Sequence, residues 1–394
     1  MEEILIISNY YPPETGAASN RIEQLALKLQ QNRYKISVIC PLANYPKGEI
    51  FENYKGKFYS KENLQGIAVK RLWIYPSNSK NILKRIISVF SFASGLFFYL
   101  LFKKTPKKII VQSPPLLLSF ISVLALRLRQ KKIILNVSDL WPLAAIELNA
   151  IKHGSFSHKL SLLMERYIYK NATLVLGQSN EIIAHVKKEF PNKKCFLYRN
   201  FPDHNIEPDF EISTERQPVR LFYAGLLGVA QGVFELCKQM DLNGLNLELH
   251  LFGDGAERKQ IESYINGLAE SKIFFHGMVD RVLLHEKLKM MDIGIVPLKS
   301  RIYGSVPSKI FEYGALGFPI LYCGGGEGED IVSEKQLGWV VEPGDFKQFN
   351  GILKDISNIG KKNIQQLKKR IFETSAREFD LNRQIKDLIE NDIF

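Results

Sequence analysis

Cysteine is scarce: Cys40, Cys195, Cys237 and Cys323 are the four in 394 residues, and no two form a C-x-x-C. That excludes a thiolate zinc motif and a disulfide framework, and it fits a reducing cytoplasm. None of the seven histidines stands in an H-x-x-x-H or H-E-x-x-H pair. No D-x-D triplet is present, so no motif offers a divalent metal its ligands. G-x-G-x-x-G is missing as well, which sets aside the nicotinamide dinucleotide fingerprint. The opening "MEEILIIS" has two acids before a short apolar run. It reads as a first strand rather than a secretory signal.

Acid is missing from one long interval. Between Glu62 and Asp139 there are thirteen Lys and Arg and no Asp or Glu. Residues 1–200 hold 30 basic and 12 acidic residues, a net +18, whereas residues 201–394 hold 23 and 29, a net −6. Nucleic acid and an anionic membrane are the two partners such a block suggests. Inside it runs "IISVFSFASGLFFYLLF", Ile86–Phe102, seventeen residues without a charge. Lys84 and Arg85 precede it, and Lys103, Lys104, Lys107 and Lys108 follow. A spanning helix needs about 20 apolar residues, and basic residues on both sides give no orientation. Two readings are open: a core helix, or a half-buried helix resting on anionic lipid. Nucleic acid is disfavoured, because the basic residues flank an aliphatic and Phe-rich run rather than aromatic stacking platforms.

Hydrophobic content of 45 % and charged content of 24 % are those of a globular chain long enough for two domains. "ILIISNYYPPETGAASNRIEQLALKLQQNRYKISVICP" reads strand, loop, helix, strand, a βαβ unit. "KKIIVQSP", "KKIILNVSD" and "ATLVLGQS" continue the first half as strands. "VRLFYAG", "LELHLFGDG", "KIFFHGMV", "DIGIVPL" and "FPILYC" repeat the pattern in the second. The polar stretch 200–220 holds three Pro and lacks periodicity, so it reads as a linker. The expected architecture is α/β, with two Rossmann-like doubly wound domains facing a cleft. One spans 1–200 and the other 201–375, with a C-terminal helix over 376–394 that can cross back to the first.

In doubly wound sheets ligands sit beyond the carboxyl ends of the strands. There the second half places Gly225, Gly228, Gln231, Gly253, Asp254 and Gly255. It also places "YGSVPSKIFEYGALGFPIL", which reads as a helix begun by Pro307 and ended by Gly314 and Gly317. Ser305, Pro307, Ser308, Lys309 and Glu312 cluster at its start. Ser308, Lys309 and Glu312 can share one face at three and four residues' spacing. One reading is an ordinary solvated helix face. The other is a diphosphate site, with N–H groups, helix dipole and Lys309 facing the phosphates and Glu312 accepting from ribose hydroxyls. In the first half Asp139, in "SDLWP", suits orienting a sugar hydroxyl or acting on an acceptor. A plain turn acid is the alternative.

The segments "YYPPETGAASNR", "SPPLLL", "SDLWP", "YAGLLGVAQG", "LFGDGAE" and "VPSKIFEYGALGFPIL" together resemble family 4 glycosyltransferases of the GT-B fold. The bacterial O-antigen and capsule enzymes of the L-fucosamine transferase type are the nearest in pattern. The resemblance implies retaining transfer from a nucleotide-sugar, UDP-linked and of the N-acetylated deoxy type, to a lipid-linked saccharide. It further implies no bound metal or other cofactor. The basic, acid-free interval around Ile86–Phe102 is what leads to the expectation of a place on the cytoplasmic face of the membrane. Glu312 resembles the ribose-binding glutamate, and Lys309 with the N–H groups near Ser308 resembles the diphosphate contacts. Gly16 resembles the first-domain loop beside the donor phosphates. The pattern departs at Gly304, where many members carry an acid, and at Leu226 and Gln231, where many carry Arg and Lys. A sugar-nucleotide 2-epimerase shares the architecture and remains the alternative enzyme. A non-catalytic membrane- or nucleic-acid-binding protein is the alternative outside enzymes.

Overall fold

The computed structural model describes residues 1–77, 81–147, 150–203 and 218–390. Most of the proposed linker, 204–217, lies outside them. The chain forms two compact units. One comprises Met1–Asn200, Tyr303–Ser305 and Asn382–Phe394, and the other Phe201–Ile302 and Val306–Leu381.

The first unit runs β1 (Glu3–Ile7), α1 (Ala17–Gln31), β2 (Lys35–Pro41), β3 (Tyr59–Leu64), β4 (Ile67–Leu72), α2 (Ile82–Phe102), β5 (Lys108–Ser113) and α3 (Leu116–Leu128). It continues through β6 (Lys132–Val137), α4 (Leu143–Glu147), α5 (Phe156–Asn171), β7 (Leu174–Gly177), α6 (Asn180–Glu189) and β8 (Cys195–Leu197). Its sheet order is β3-β4-β2-β1-β5-β6-β7-β8. All pairings are parallel except β3 with β4. The strand order reverses at β1, between β2 and β5. Loops leaving the carboxyl ends there diverge and leave room for a ligand. Alternate residues of these strands, such as Leu5 and Ile7, Ile109 and Val111, and Ile133 and Leu135, enter one core with α2, α3 and α5. That period of two is what the apolar runs encode.

Helix α2 is longer than the uncharged run, because Lys84 and Arg85 lie within its first turn. Phe92, Ala93, Leu96 and Leu100 are fully buried. Leu83, Ile86, Ile87, Phe90, Phe98 and Phe102 are between 51 and 77 % exposed. The helix is therefore core on one side and bare apolar surface on the other. Lys84, Arg85, Lys103, Lys104 and Lys107 are exposed. Lys108 corrects the expected surface set, since its ammonium pairs with Glu2 at 2.7 Å and its side chain is largely covered. Burial at the start of β5 gives that charge an internal partner. Arg71, Arg129 and Lys131 are likewise occupied, holding the carbonyls of Pro41, Leu100 and Thr105 respectively.

The second unit runs β9 (Val219–Ala224), α7 (Val233–Gln239), β10 (Leu247–Phe252), α8 (Arg258–Asn266), β11 (Ile273–Phe275), α9 (Arg281–Leu288), β12 (Ile293–Pro297) and α10 (Ser308–Ala315). Then come β13 (Ile320–Cys323), α11 (Gly326–Glu334), β14 (Gly338–Val341), α12 (Phe346–Ser357) and α13 (Lys361–Glu378). The sheet is parallel throughout, in the order β11-β10-β9-β12-β13-β14. Its order reverses at β9, between β10 and β12. A last helix, α14 (Leu381–Leu388), follows after a break at Phe379 and Asp380. Of the tail expected as one helix over 376–394, the described part comprises the end of α13 and then α14, and 391–394 lie outside the described residues. Gln384 of α14 bonds both the N–H and the carbonyl of Arg199, at 2.8 and 3.0 Å.

Candidate active site

The reversal of strand order in the second unit puts two loops side by side: the one after β9 and the one that leads from β12 into α10. A third, after β10, is stitched to the first. Gly225 N–H donates to Phe252 O (2.8 Å), Leu227 N–H to Asp254 O (2.9 Å) and Glu257 N–H to Leu227 O (3.0 Å). A β-carbon at Gly253 would collide with the Gly225 carbonyl, and one at Gly255 with the Leu227 carbonyl. These glycines exist to let backbone meet backbone. That is a different task from the ligand contact expected of Gly253 and Gly255 from their place beyond the strand ends. Gly228 and Gln231 lie on the β9–α7 loop. Asp254 caps its own neighbour, accepting from Gly255 N–H at 2.8 Å.

Helix α10 is fastened to the start of this loop by Tyr313, and the loop itself is braced by Tyr223. Ala224 N–H donates to the buried Tyr313 hydroxyl at 3.0 Å, and the Tyr223 hydroxyl donates to Leu226 O at 2.6 Å. Lys309 does not share the outward face with Ser308 and Glu312. Its Nζ lies 5.3 Å from the centre of the Tyr223 ring, close enough to Gly225 that a β-carbon there would strike it. Burial lowers its pKa, with Glu312 pulling the other way. Among the described residues no carboxylate lies within ion-pair distance of this ammonium. Glu312 is exposed, and one of its oxygens accepts from the Ser308 hydroxyl at 2.8 Å. Pro307 is the N-cap residue and Ser308 the first helical one, one place later than the sequence suggests. The far end closes with Gly317 N–H to Gly314 O (2.9 Å) and Phe318 N–H to Tyr313 O (2.9 Å), a Schellman ending.

Ser305 falls with the first unit rather than with α10. The stretch before it is held there. Tyr303 N–H donates to Glu147 (3.1 Å) and Gly304 N–H to Glu181 (2.5 Å), and Gly304 O accepts from the Ser179 hydroxyl (2.8 Å). The structural task of Gly304 differs from that of a ligand-binding acid at the same place.

In the first unit, Gly16 is the N-cap of α1 and carries φ 143°. The loop before it is shaped by buried Glu14, which accepts from the N–H groups of Asn44 (2.8 Å), Tyr45 (2.9 Å) and Tyr11 (3.3 Å). Burial pushes the Glu14 pKa up, and these donors oppose the rise. Asp139 follows β6. Burial raises its carboxyl to about 6, against the pull of Arg21 and a hydrogen bond from Ser138. Arg21 is almost wholly buried. It donates to Gln178 (2.9 Å), Asn136 (2.8 Å) and the Tyr198 carbonyl (3.0 Å), while its Nε has no hydrogen-bond partner. Asn136 passes the network to Gln112 (2.8 Å), and Gln112 to Ser138 (3.0 Å). Sequence reasoning missed Arg21, Tyr223 and Tyr313. A lone Arg among the apolar positions of α1 was the available signal for the first, since charge on a buried face needs partners. The tyrosines looked like ordinary strand and helix residues.

Among the described residues no three His, Cys, Asp or Glu side chains are placed to hold a metal ion.

Residues 218–357 match the family model for glycosyl transferases group 1. The second unit is a glycosyl transferase group 1 domain. No curated protein matches the chain. Solved structures match it end to end. A sucrose-phosphate synthase from Thermosynechococcus elongatus is 16 % identical, covering 100 % of this chain and 99 % of its own, with TM-score 0.76. Anabaena HepE in complex with UDP and glucose is 15 % identical over 99 and 100 %, with TM-score 0.67. A lipopolysaccharide outer core galactosyltransferase, WaaB, is 15 % identical over 99 and 99 %, with TM-score 0.60. The fold is therefore GT-B, two Rossmann-like units of mainly parallel sheet. With the group 1 domain, the chain is a glycosyltransferase. The L-fucosamine type is a finer assignment than these matches carry.

Proposed function

We propose that the chain transfers a sugar, with retention, from a UDP-linked donor to a lipid-linked saccharide at the cytoplasmic face of the membrane. An N-acetylated deoxy sugar and an O-antigen or capsule product complete the reading. The observation that carries it is the Lys309 ammonium. It is half-buried over Gly225, at the point where the strand order reverses and beside the first turn of α10, and among the described residues no carboxylate lies within ion-pair distance of it. A diphosphate supplies the missing charge. Glu312, now turned to Ser308, is free to accept from the ribose hydroxyls instead.

Breaking the glycosyl–phosphate bond builds negative charge on the leaving diphosphate. Lys309 and the N–H groups of α10 face that charge and lower the barrier. A leaving-group oxygen takes the acceptor's proton as the acceptor attacks from the same side, so no protein nucleophile is needed. Asp139 orients the acceptor from the first unit. No step calls for a metal.

Membrane attachment rests on α2. Its exposed apolar side and flanking lysines suit a helix lying in an anionic lipid interface. A thermal-shift screen of sugar nucleotides tests the donor assignment. UDP-linked sugars should raise the melting temperature and Lys309→Ala should reduce the effect. If no sugar nucleotide stabilises the protein, the reading fails.

A further inference from the structure

Helix α5 carries an apolar stripe that neither its sequence nor the core explains. Phe156, Leu160 and Leu163 stand at i, i+4 and i+7, on one side of the helix, and are 81, 45 and 63 % exposed. The other side is satisfied, with Ile168 and Tyr169 buried in the core shared with α2 and α3. Helix α3 packs between α2 and α5. At its end Leu128 is 65 % exposed. Bare apolar side chains therefore occur on all three neighbouring helices, well beyond the single scattered residues that any surface shows.

We infer that α5 is a second lipid-contact element, and that the α2–α3–α5 side of the first unit lies flat on an anionic bilayer. The inference rests on the membrane reading of α2 and extends it to a segment outside the basic, acid-free interval. Charge identifies the occupant. Lys152 and Lys159 flank Phe156, and Arg127 adjoins Leu128, all exposed. The acid on these three helices, Glu165, is buried and bonded to His185 at 3.2 Å. An apolar centre with a rim of one sign matches acyl chains beneath anionic headgroups. A protein partner would ordinarily meet a rim of mixed charge. Two separate helices fix the tilt of the unit on the surface, which one helix alone leaves free to roll.

The test is flotation of the full chain with vesicles of phosphatidylcholine containing about one third phosphatidylglycerol, or of phosphatidylcholine alone. Wild type should float with the anionic vesicles, and Phe156→Ser/Leu163→Ser should bind them about tenfold more weakly or worse. Both changed side chains are exposed, so the melting temperature should hold. In a separate variant, Phe156→Trp, emission should shift further to the blue than that of wild type when anionic vesicles are added. If wild type and the double variant float equally and the added indole's emission stays put, α5 is not part of the seat, while α2 keeps its role. If wild type ignores anionic vesicles, the membrane reading itself falls. If the double variant instead turns a wild-type dimer into a monomer with vesicle binding unchanged, the stripe is an interface between copies and the inference is overturned.

Discussion

Lys309 shows how much a single side chain's direction decides. Spacing allowed it to share a face with Ser308 and Glu312, but packing turned it inward over Tyr223. A half-buried ammonium beside aromatic and backbone groups is held with little freedom to lose. It therefore acts most on charge that appears during reaction. Lys309→Ala should lower kcat by about 100-fold, with a smaller loss in donor affinity. Steady-state kinetics beside equilibrium titration measure the split. A variant with weakened donor binding and unchanged turnover would contradict the role. Asp139 supplies a pH test. Its carboxyl is raised from the usual 3.8 to about 6 by burial, so the folded chain binds that proton more tightly than the unfolded chain does. The stability this contributes is present below the unfolded value and is lost as pH rises through about 6. Asp139→Asn should consequently stabilise the protein at pH 7.5, by at most about 3 kcal/mol, and make little difference at pH 4. Urea unfolding of both forms at the two pH values checks the sign. The Asp139 effect was not legible from the sequence, because burial of its carboxyl is a product of tertiary packing, as is the placement of Arg21, whose charge opposes the rise and whose partners Asn136 and Gln178 come from distant segments.

At the scale of elements the sequence was most informative where one local rule dominates. The parallel strands were readable as apolar runs because both faces are covered. The start and end of α10 were readable from Pro307 and Gly317, since cap chemistry is local. Strands β3, β8 and β14 were not distinguished. They depend on neighbours rather than on their own patterns. The Gly-rich loops were visible as loops, yet their cause was not. Gly253 and Gly255 are needed because two backbones touch. This makes Gly253→Ala a stability test rather than a binding test. With φ 142° and the Gly225 carbonyl in the way, it should cost more than about 2 kcal/mol, read from the denaturation midpoint. An unaltered midpoint would mean that the two loops are not joined as described. The uncharged run of α2 was legible as either core or surface. The structure gives each reading one side of the helix.

For the whole molecule, the two-unit plan was readable from a βαβ pattern that appears twice. Less legible was the return of Tyr303–Ser305 to the first unit, because a contact so distant in sequence leaves no periodic trace. The side of the first unit proposed to meet lipid shows the same limit. The basic interval marked α2, but α5 lies outside it and declared itself only through exposure of Phe156 and Leu163. Conversely, Lys108 looked like a surface charge until its pairing with Glu2 was seen. The central claim, that the second unit holds a nucleotide-sugar against α10 and the β9 loop, is tested most directly by calorimetric titration of the full chain with a UDP-sugar, for wild type and Glu312→Ala. Loss of a charged hydrogen bond is worth about 1.5–3 kcal/mol. The account predicts that wild type binds and that the folded variant binds at least about tenfold more weakly. Equal affinity in a folded Glu312→Ala protein, or no binding by wild type, would contradict it.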